Sequence, residues 1–106
     1  MATGIIQTPS MMSDCGTLRD NSSPRVIHVP SSSDHLLFVI ASGDVYSGVY
    51  FVHCISNGTV GVSPIKAFTT TTMTITGGTN TCTVTSTSTT SVSLVTMTIR
   101  GEKAYR

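Results

Sequence analysis

The sequence predicts an all-β domain: an antiparallel β-sandwich or jelly roll of about eight strands, preceded by an extended N-terminal arm. Three observations carry this expectation. Across the last third of the chain, apolar residues alternate with Thr at period two, the spacing of a half-buried strand. Turn signals recur at intervals of about 8–12 residues, as they do in sandwiches. No segment pairs a helix cap with an apolar stripe at helical spacing, so no α-helix longer than about two turns is expected.

Taken in order, residues 1–24 read as an arm, with Pro9, Gly16 and Pro24 among Ser and Asp residues and no sustained periodicity. Ile5, Ile6, Met11 and Met12 are apolar within this arm and need cover, which makes them the candidate assembly contacts. Either they pack on their own domain, as a first strand would, or they dock on a neighbouring chain. Residues 25–106 form the sandwich domain. Residues 25–29 make a short β-branched strand that Pro30 ends, and Ser31-Ser32-Ser33-Asp34 makes a loop. Leu36-Leu37-Phe38-Val39-Ile40 is a short apolar run between turn residues, which fits a strand buried on both faces. Ser42-Gly43-Asp44 turns the chain into a second apolar strand, residues 48–56.

Asn57-Gly58 then predicts a two-residue type I′ hairpin, whose central residues both need positive φ. Residues 59–66 return with Val60 and Val62, and Pro64 places this strand at an edge or a bulge. Met73 and Ile75 alternate with Thr72, Thr74 and Thr76, and Gly77-Gly78 turns the chain. Cys82 and Val84 alternate with Thr81, Thr83 and Thr85. Residues 86–91 form a polar loop. In the closing strand Val95, Met97 and Ile99 alternate with Thr96 and Thr98. Val92 and Leu94 lie in the opposite phase, so a bulge between them and Val95 is expected. On this phasing the core holds Phe38, Ile40, Tyr50, Val52, Ile75, Val84, Met97 and Ile99.

The composition excludes several functions. With 106 residues the chain is one domain. Its net charge of +1 gives no electrostatic basis for binding nucleic acid or an anionic membrane. Arg100, Lys103 and Arg106 read as a solvated tail. No apolar run approaches the ~20 residues of a membrane helix, so no membrane insertion is expected. The start lacks a basic region ahead of an apolar stretch, so the expectation is synthesis in a cytoplasm without a secretion signal. There Cys15, Cys54 and Cys82, odd in number and without a CxxC pair, read as free thiols packed like small apolar residues. The sequons at Asn21 and Asn57 carry no weight in that setting. Only 10% of residues are charged, against roughly 25% in a typical soluble domain. A thin core at this length together with so little charge predicts a homo-oligomer.

Material for catalysis is sparse, with three His and five acidic residues. Asp34-His35 beside Ser31, Ser32 and Ser33 supplies the residue types of a triad. However, no G-x-S-x-G elbow is present, and adjacent strand residues point to opposite sides. His53-Cys54 fails as a metal pair for the same reason, because zinc needs about four converging ligands. No catalytic, cofactor or metal site is expected. The T-x-T pairs between Thr72 and Thr85 match ice-binding solenoids only locally. A solenoid repeats its unit at a fixed period, which this chain lacks, so these are ordinary solvent-facing Thr.

The segment order is the remaining signal. An apolar strand from Leu36 is followed by Ser47-Gly48-Val49-Tyr50-Phe51-Val52, a tight hairpin at Asn57-Gly58-Thr59-Val60, and the Thr-rich strands Met73-Thr74-Ile75-Thr76 and Cys82-Thr83-Val84-Thr85. A closing strand runs from Ser93 to Arg100. This resembles the small β-sandwich modules of bacteriophage virions, found in tail-fibre tips and capsid-decorating proteins, many of them trimers of jelly-roll, tumour-necrosis-factor-like topology. The resemblance covers about two-thirds of the chain. It rests on texture and order rather than a diagnostic motif, so it transfers no functional residue. It implies a non-enzymatic virion structural protein without cofactor, a capsid-decorating or accessory fibre subunit. Such a subunit would be made in the host cytoplasm and carried on the particle as a homotrimer bound to other capsid or tail proteins. The alternative it implies is a receptor- or carbohydrate-binding tail-fibre tip with a host-surface glycan as ligand. Three Tyr and no Trp count against that alternative, since sugar sites favour stacking aromatics. A fibre tip ends a longer shaft, whereas this chain starts at Met1, which favours a decorating or accessory subunit.

Overall fold

Alternation at period two dictates strands, and strands are what form. The computed structural model describes residues 12–18, 24–41, 47–67, 73–86 and 91–106. Eight strands run through them: β1 (Met12–Leu18), β2 (Arg25–His28), β3 (Ser33–Ala41), β4 (Ser47–Cys54), β5 (Val60–Lys66), β6 (Met73–Gly77), β7 (Thr81–Ser86) and β8 (Val92–Arg100). All pairings are antiparallel. The strands form a five-stranded sheet, β1-β8-β3-β4-β5, and a three-stranded sheet, β2-β7-β6. The expected all-β sandwich is therefore what the chain adopts. Strands distant in sequence, β1 with β8 and β8 with β3 in one sheet and β2 with β7 in the other, are neighbours in space. In contrast, β3-β4-β5 runs as a meander within one sheet, and β6-β7 is a hairpin within the other.

Between the sheets lie Leu18, Ile27, Val29, Leu37, Val39, Val52, Val84, Val92 and Leu94, together with all three cysteines. The thiols are free, as the reading of them as small apolar residues requires. Burial pushes the Cys82 thiol up to about 12. β1 corrects the expected boundary between arm and domain: Cys15 and Leu18 are fully buried, and the strand pairs with β8. Residues 12–18 of the expected arm are thus the first strand of the sandwich. Gly16 absorbs a register shift between Asp14 and Thr17 at φ +96°.

The larger correction concerns phase. In β3, Leu37 and Val39 point inward, while Leu36 and Phe38 are half-buried and Ile40 is 47% exposed on the other side. In β8 the inward set is Val92, Leu94, Thr96 and Thr98, without interruption. The expected bulge beside Val95 is absent, and the register shift falls instead at Asp34/His35, across from the end of β8. Met97 and Ile99, the latter 50% exposed, therefore lie outside the core, as do Phe38 and Ile40. Val52 and Val84 are core residues as expected, and Tyr50 and Ile75 pack against the core half-buried. The inversion has a chemical reason. Thr96 and Thr98 carry methyl groups into the core and bond their hydroxyls there, Thr96 with Cys15 Sγ (3.8 Å) and Thr98 with His35 Nδ1 (3.1 Å).

The β4-β5 hairpin also departs from expectation. Gly58 has φ +94°, but Asn57 does not enter the left-handed region. The Gly58 N–H donates to Ile55 O (3.0 Å) and the Ile55 N–H to Thr59 O (3.1 Å). This is a type I turn closed by a left-handed glycine, the three-residue hairpin loop. Asn57 Oδ1 accepts from the Thr59 N–H instead. Pro64 sits in β5, the edge strand, beside a register shift at Val49/Tyr50. The expected turn Ser42-Gly43-Asp44 and residues 87–90 of the polar loop lie outside the described residues.

Candidate functional site

The phase inversion leaves the five-stranded sheet with an unusual outer face. Cross-strand registers assemble it into rows. One row reads Met12, Met97, Leu36, Phe51, Ser63 from β1 to β5. The next reads Asp14, Val95, Phe38, Val49, Lys66. Ser93, Ile40 and Ser47 close one end, and Arg100, Asp34, His53 and Gly61 close the other. The result is a half-buried apolar centre of Leu, Phe, Val and Met side chains, continued by exposed Ile40 and Met12, inside a border otherwise polar and charged. An exposed apolar patch with a polar rim marks an interaction site.

Of the four expected assembly contacts, Met12 lies in this face, exposed beside Met97. Ile5, Ile6 and Met11 lie outside the described residues.

At the border, Asp34 Oδ1 bonds His53 Nδ1, and Arg100 Nε donates to Asp34 Oδ2 (2.7 Å). The hydrogen bonds from His53 and from Arg100 hold the Asp34 carboxyl below its ordinary range. His53 also stacks on Phe51, with centroids 6.2 Å apart. All three side chains are thus partnered within one chain.

Behind Asp34, on the inner side, His35 is fully buried. Sequence reasoning placed Asp34 and His35 on opposite sides, which they are, but it missed that Ser33 and His35, two apart, share the inner side. Ser33 Oγ lies 2.8 Å from His35 Nε2. The Ser33 hydroxyl donates to Pro30 O. Its oxygen must therefore accept from Nε2–H, which leaves Nδ1 to accept from the Thr98 hydroxyl. Every partner is satisfied with a neutral imidazole, and desolvation by burial lowers its pKa. The ring donates to the Ser hydroxyl rather than taking its proton, and the surrounding space holds no void a water could enter. The arrangement is structural chemistry. His53 and Cys54 point to opposite sides of β4, the thiol into the core. Among the described residues no three His, Cys, Asp or Glu side chains converge as metal ligands would.

The three-stranded sheet presents the opposite kind of surface. Registers align Val26, Thr83 and Thr76, then Thr85 with Thr74, and His28 with Thr81. His28 stacks on Tyr105 at 5.0 Å, and the two backbones bridge. Beside β1 a groove of about 590 Å³ is lined by Asp14, Pro30, Glu102, Lys103, Tyr105 and Arg106 among others.

No family model matches the sequence, and no curated protein matches it. Among solved structures the chain is similar to the tailspike protein gp49 of Acinetobacter baumannii bacteriophage Fri1, a capsular polysaccharide depolymerase. The TM-score is 0.57 at 14% identity, and the match covers 82% of this chain and 16% of the tailspike. At that identity the likeness establishes the shared all-β fold, and the chain spans under a fifth of the tailspike's length.

Proposed function

We propose that this chain is a non-enzymatic structural module of a bacteriophage virion, carried on the tail as an accessory fibre or spike subunit. One observation carries the reading: four-fifths of the chain shares its fold with a small portion of a phage tailspike. That neighbour is a tail protein, which favours a tail location over capsid decoration. The composition agrees, with little charge and long Ser/Thr strands. The neighbour is a depolymerase, yet a module matching 16% of it need not carry its activity. Among the described residues, the buried Ser33–His35 contact is closed to substrate.

The test is immunogold electron microscopy of particles from the phage that encodes the chain, using antibodies against the recombinant protein. Label on the tail is expected. Label on the head, or absence from purified particles, overturns the reading. Release of reducing ends from host capsular polysaccharide by the purified protein overturns its non-enzymatic part.

A second reading, receptor binding, rests on the His28–Tyr105 pair and the adjoining groove. An aromatic face beside carboxylates and cations suits a saccharide. Its test is saturation-transfer NMR with host-surface glycans, and loss of signal in Tyr105→Ala is the expected outcome.

A further inference from the structure

We propose that the outer face of the five-stranded sheet is a self-association surface, occupied by a second copy of this chain packed face to face about a twofold axis along β3. The inference stands apart from the virion reading, because it is argued from registers and charge.

The first argument is extent. Strands about 4.8 Å apart and same-face residues about 6.8 Å apart put the four rows on a footprint of roughly 400–650 Å² per copy. A pair then buries roughly 800–1,300 Å², which reaches the ≈ 1,000 Å² that a specific interface needs. The second argument is chemistry. Phe38, Leu36, Phe51, Val95 and Met97 occupy the centre, where aromatic and Met side chains concentrate binding energy. The border groups Asp34, His53 and Arg100 are already paired within the chain. A face whose charges are satisfied, in a chain of net charge +1, approaches its own copy without strong repulsion.

The third argument selects the geometry. β3 is the middle of five strands. A twofold axis along it, lying in the interface, turns β1 of one copy over β5 of the other. The row Asp14, Val95, Phe38, Val49, Lys66 then meets itself reversed. Phe38 packs on Phe38 and Val95 on Val49. Each Asp14 carboxylate comes opposite the other copy's Lys66 ammonium; both residues are exposed, and each makes one bond to its own backbone, Asp14 Oδ1 accepting from the Gly16 N–H (2.9 Å) and Lys66 Nζ donating to Ser47 O (3.3 Å). In the neighbouring row Met97 faces Phe51, a favourable sulfur–aromatic contact. In the border row Asp34 meets Asp34 and Arg100 meets the other copy's His53; each Asp34 carboxylate holds its own Arg100 and His53, which offsets both meetings. An isologous interface requires such self-complementarity.

Sedimentation velocity on the full chain tests this, over about 1–100 μM. The expected species is twice the 11.1 kDa chain. Phe38→Glu places a charge at the centre and should weaken association at least about 100-fold. Asp14→Lys and Lys66→Asp should each weaken it about tenfold, and the double swap should restore it to within about threefold. Circular dichroism confirms that each variant retains its strands, which matters most for Asp14→Lys, because Asp14 Oδ1 accepts from the Gly16 N–H at the β1 register shift. A monomer throughout the range overturns the proposal. A species three times the chain mass, the arrangement that the resemblance to phage modules implied, overturns the twofold geometry. Failure of the double swap to recover association overturns the register.

Discussion

Gly77→Ala probes how the two hairpin tips lock together. A Cβ built on Gly77 would lie 2.1 Å from the Val60 carbonyl oxygen and 2.9 Å from its carbon. Both are backbone atoms, so no side-chain rotation relieves the contact. The β5 backbone must retreat by more than an ångström to reach ordinary contact. That retreat breaks the Val60 N–H···O=C Gly78 bond (3.2 Å) and strains the Thr59–Thr79 bridge beside it. Overpacking costs about 1–3 kcal/mol, and the lost hydrogen bond adds about 0.5–1.5 kcal/mol. The sum is about 1.5–4.5 kcal/mol, a drop in Tm of about 6–20 °C for a domain of this size. Gly61→Ala is the control, since its Cβ would meet nothing within 4 Å. It should be neutral or stabilising by up to about 1 kcal/mol. Urea unfolding at one fixed protein concentration reads both. Loss of less than about 0.5 kcal/mol in Gly77→Ala, at unchanged m-value, would refute the close approach.

Three further outcomes follow from burial and phase. Leu37→Ala should cost about 2–5 kcal/mol and Ile40→Ala under about 1 kcal/mol in the monomer; equal costs in urea unfolding would restore the phase the sequence suggested. Burial depresses the His35 pKa below 6.5, so below that pH the unfolded chain binds a proton the folded chain refuses. Stability should therefore fall from neutral pH toward about pH 5, and His35→Asn, weaker overall, should show a flatter profile; identical slopes would discount the buried imidazole. With all three thiols buried and Cys82 pushed up to about 12, an aromatic disulfide reagent should label none within minutes in the native state and all three in denaturant. Rapid native labelling would contradict that burial.

The strands and their order were legible because period-two alternation survives any tertiary context. Pro64 announced an edge, and Asn57-Gly58 announced a hairpin, although the Asn took the αR side of a type I turn and used its amide oxygen as a local acceptor. What alternation does not carry is its sign. Val95, Met97 and Ile99 form as good an inward set as Val92, Leu94, Thr96 and Thr98, and greater hydrophobicity favoured the wrong one. β1 was hidden because Gly16 and its register shift interrupt its period. Asn80 gave no signal at all. Yet at φ +53° its side-chain amide donates to Val29 O (2.9 Å) and its N–H donates to Gly58 O (2.7 Å), tying both hairpin tips to β2.

The inward polar residues explain how a strand apolar on both faces chooses one. For β3, hydrophobicity specifies register weakly, because a slip of one residue exchanges Leu37 and Val39 for Leu36, Phe38 and Ile40 at little cost in transfer energy. The cost lies in the polar residues between them. A slip would bury Asp34 away from His53 and Arg100 and would strip His35 of Ser33 and Thr98. An unpaired buried carboxylate is far more costly than any exchange of Leu for Phe. The Ser33–His35–Thr98 network inside and the Asp34–His53–Arg100 cluster outside therefore select the same register from opposite sides of the sheet. That selection turns the larger hydrophobes outward, and the same polar choice that fixes the fold also builds the apolar face on which a second copy can sit.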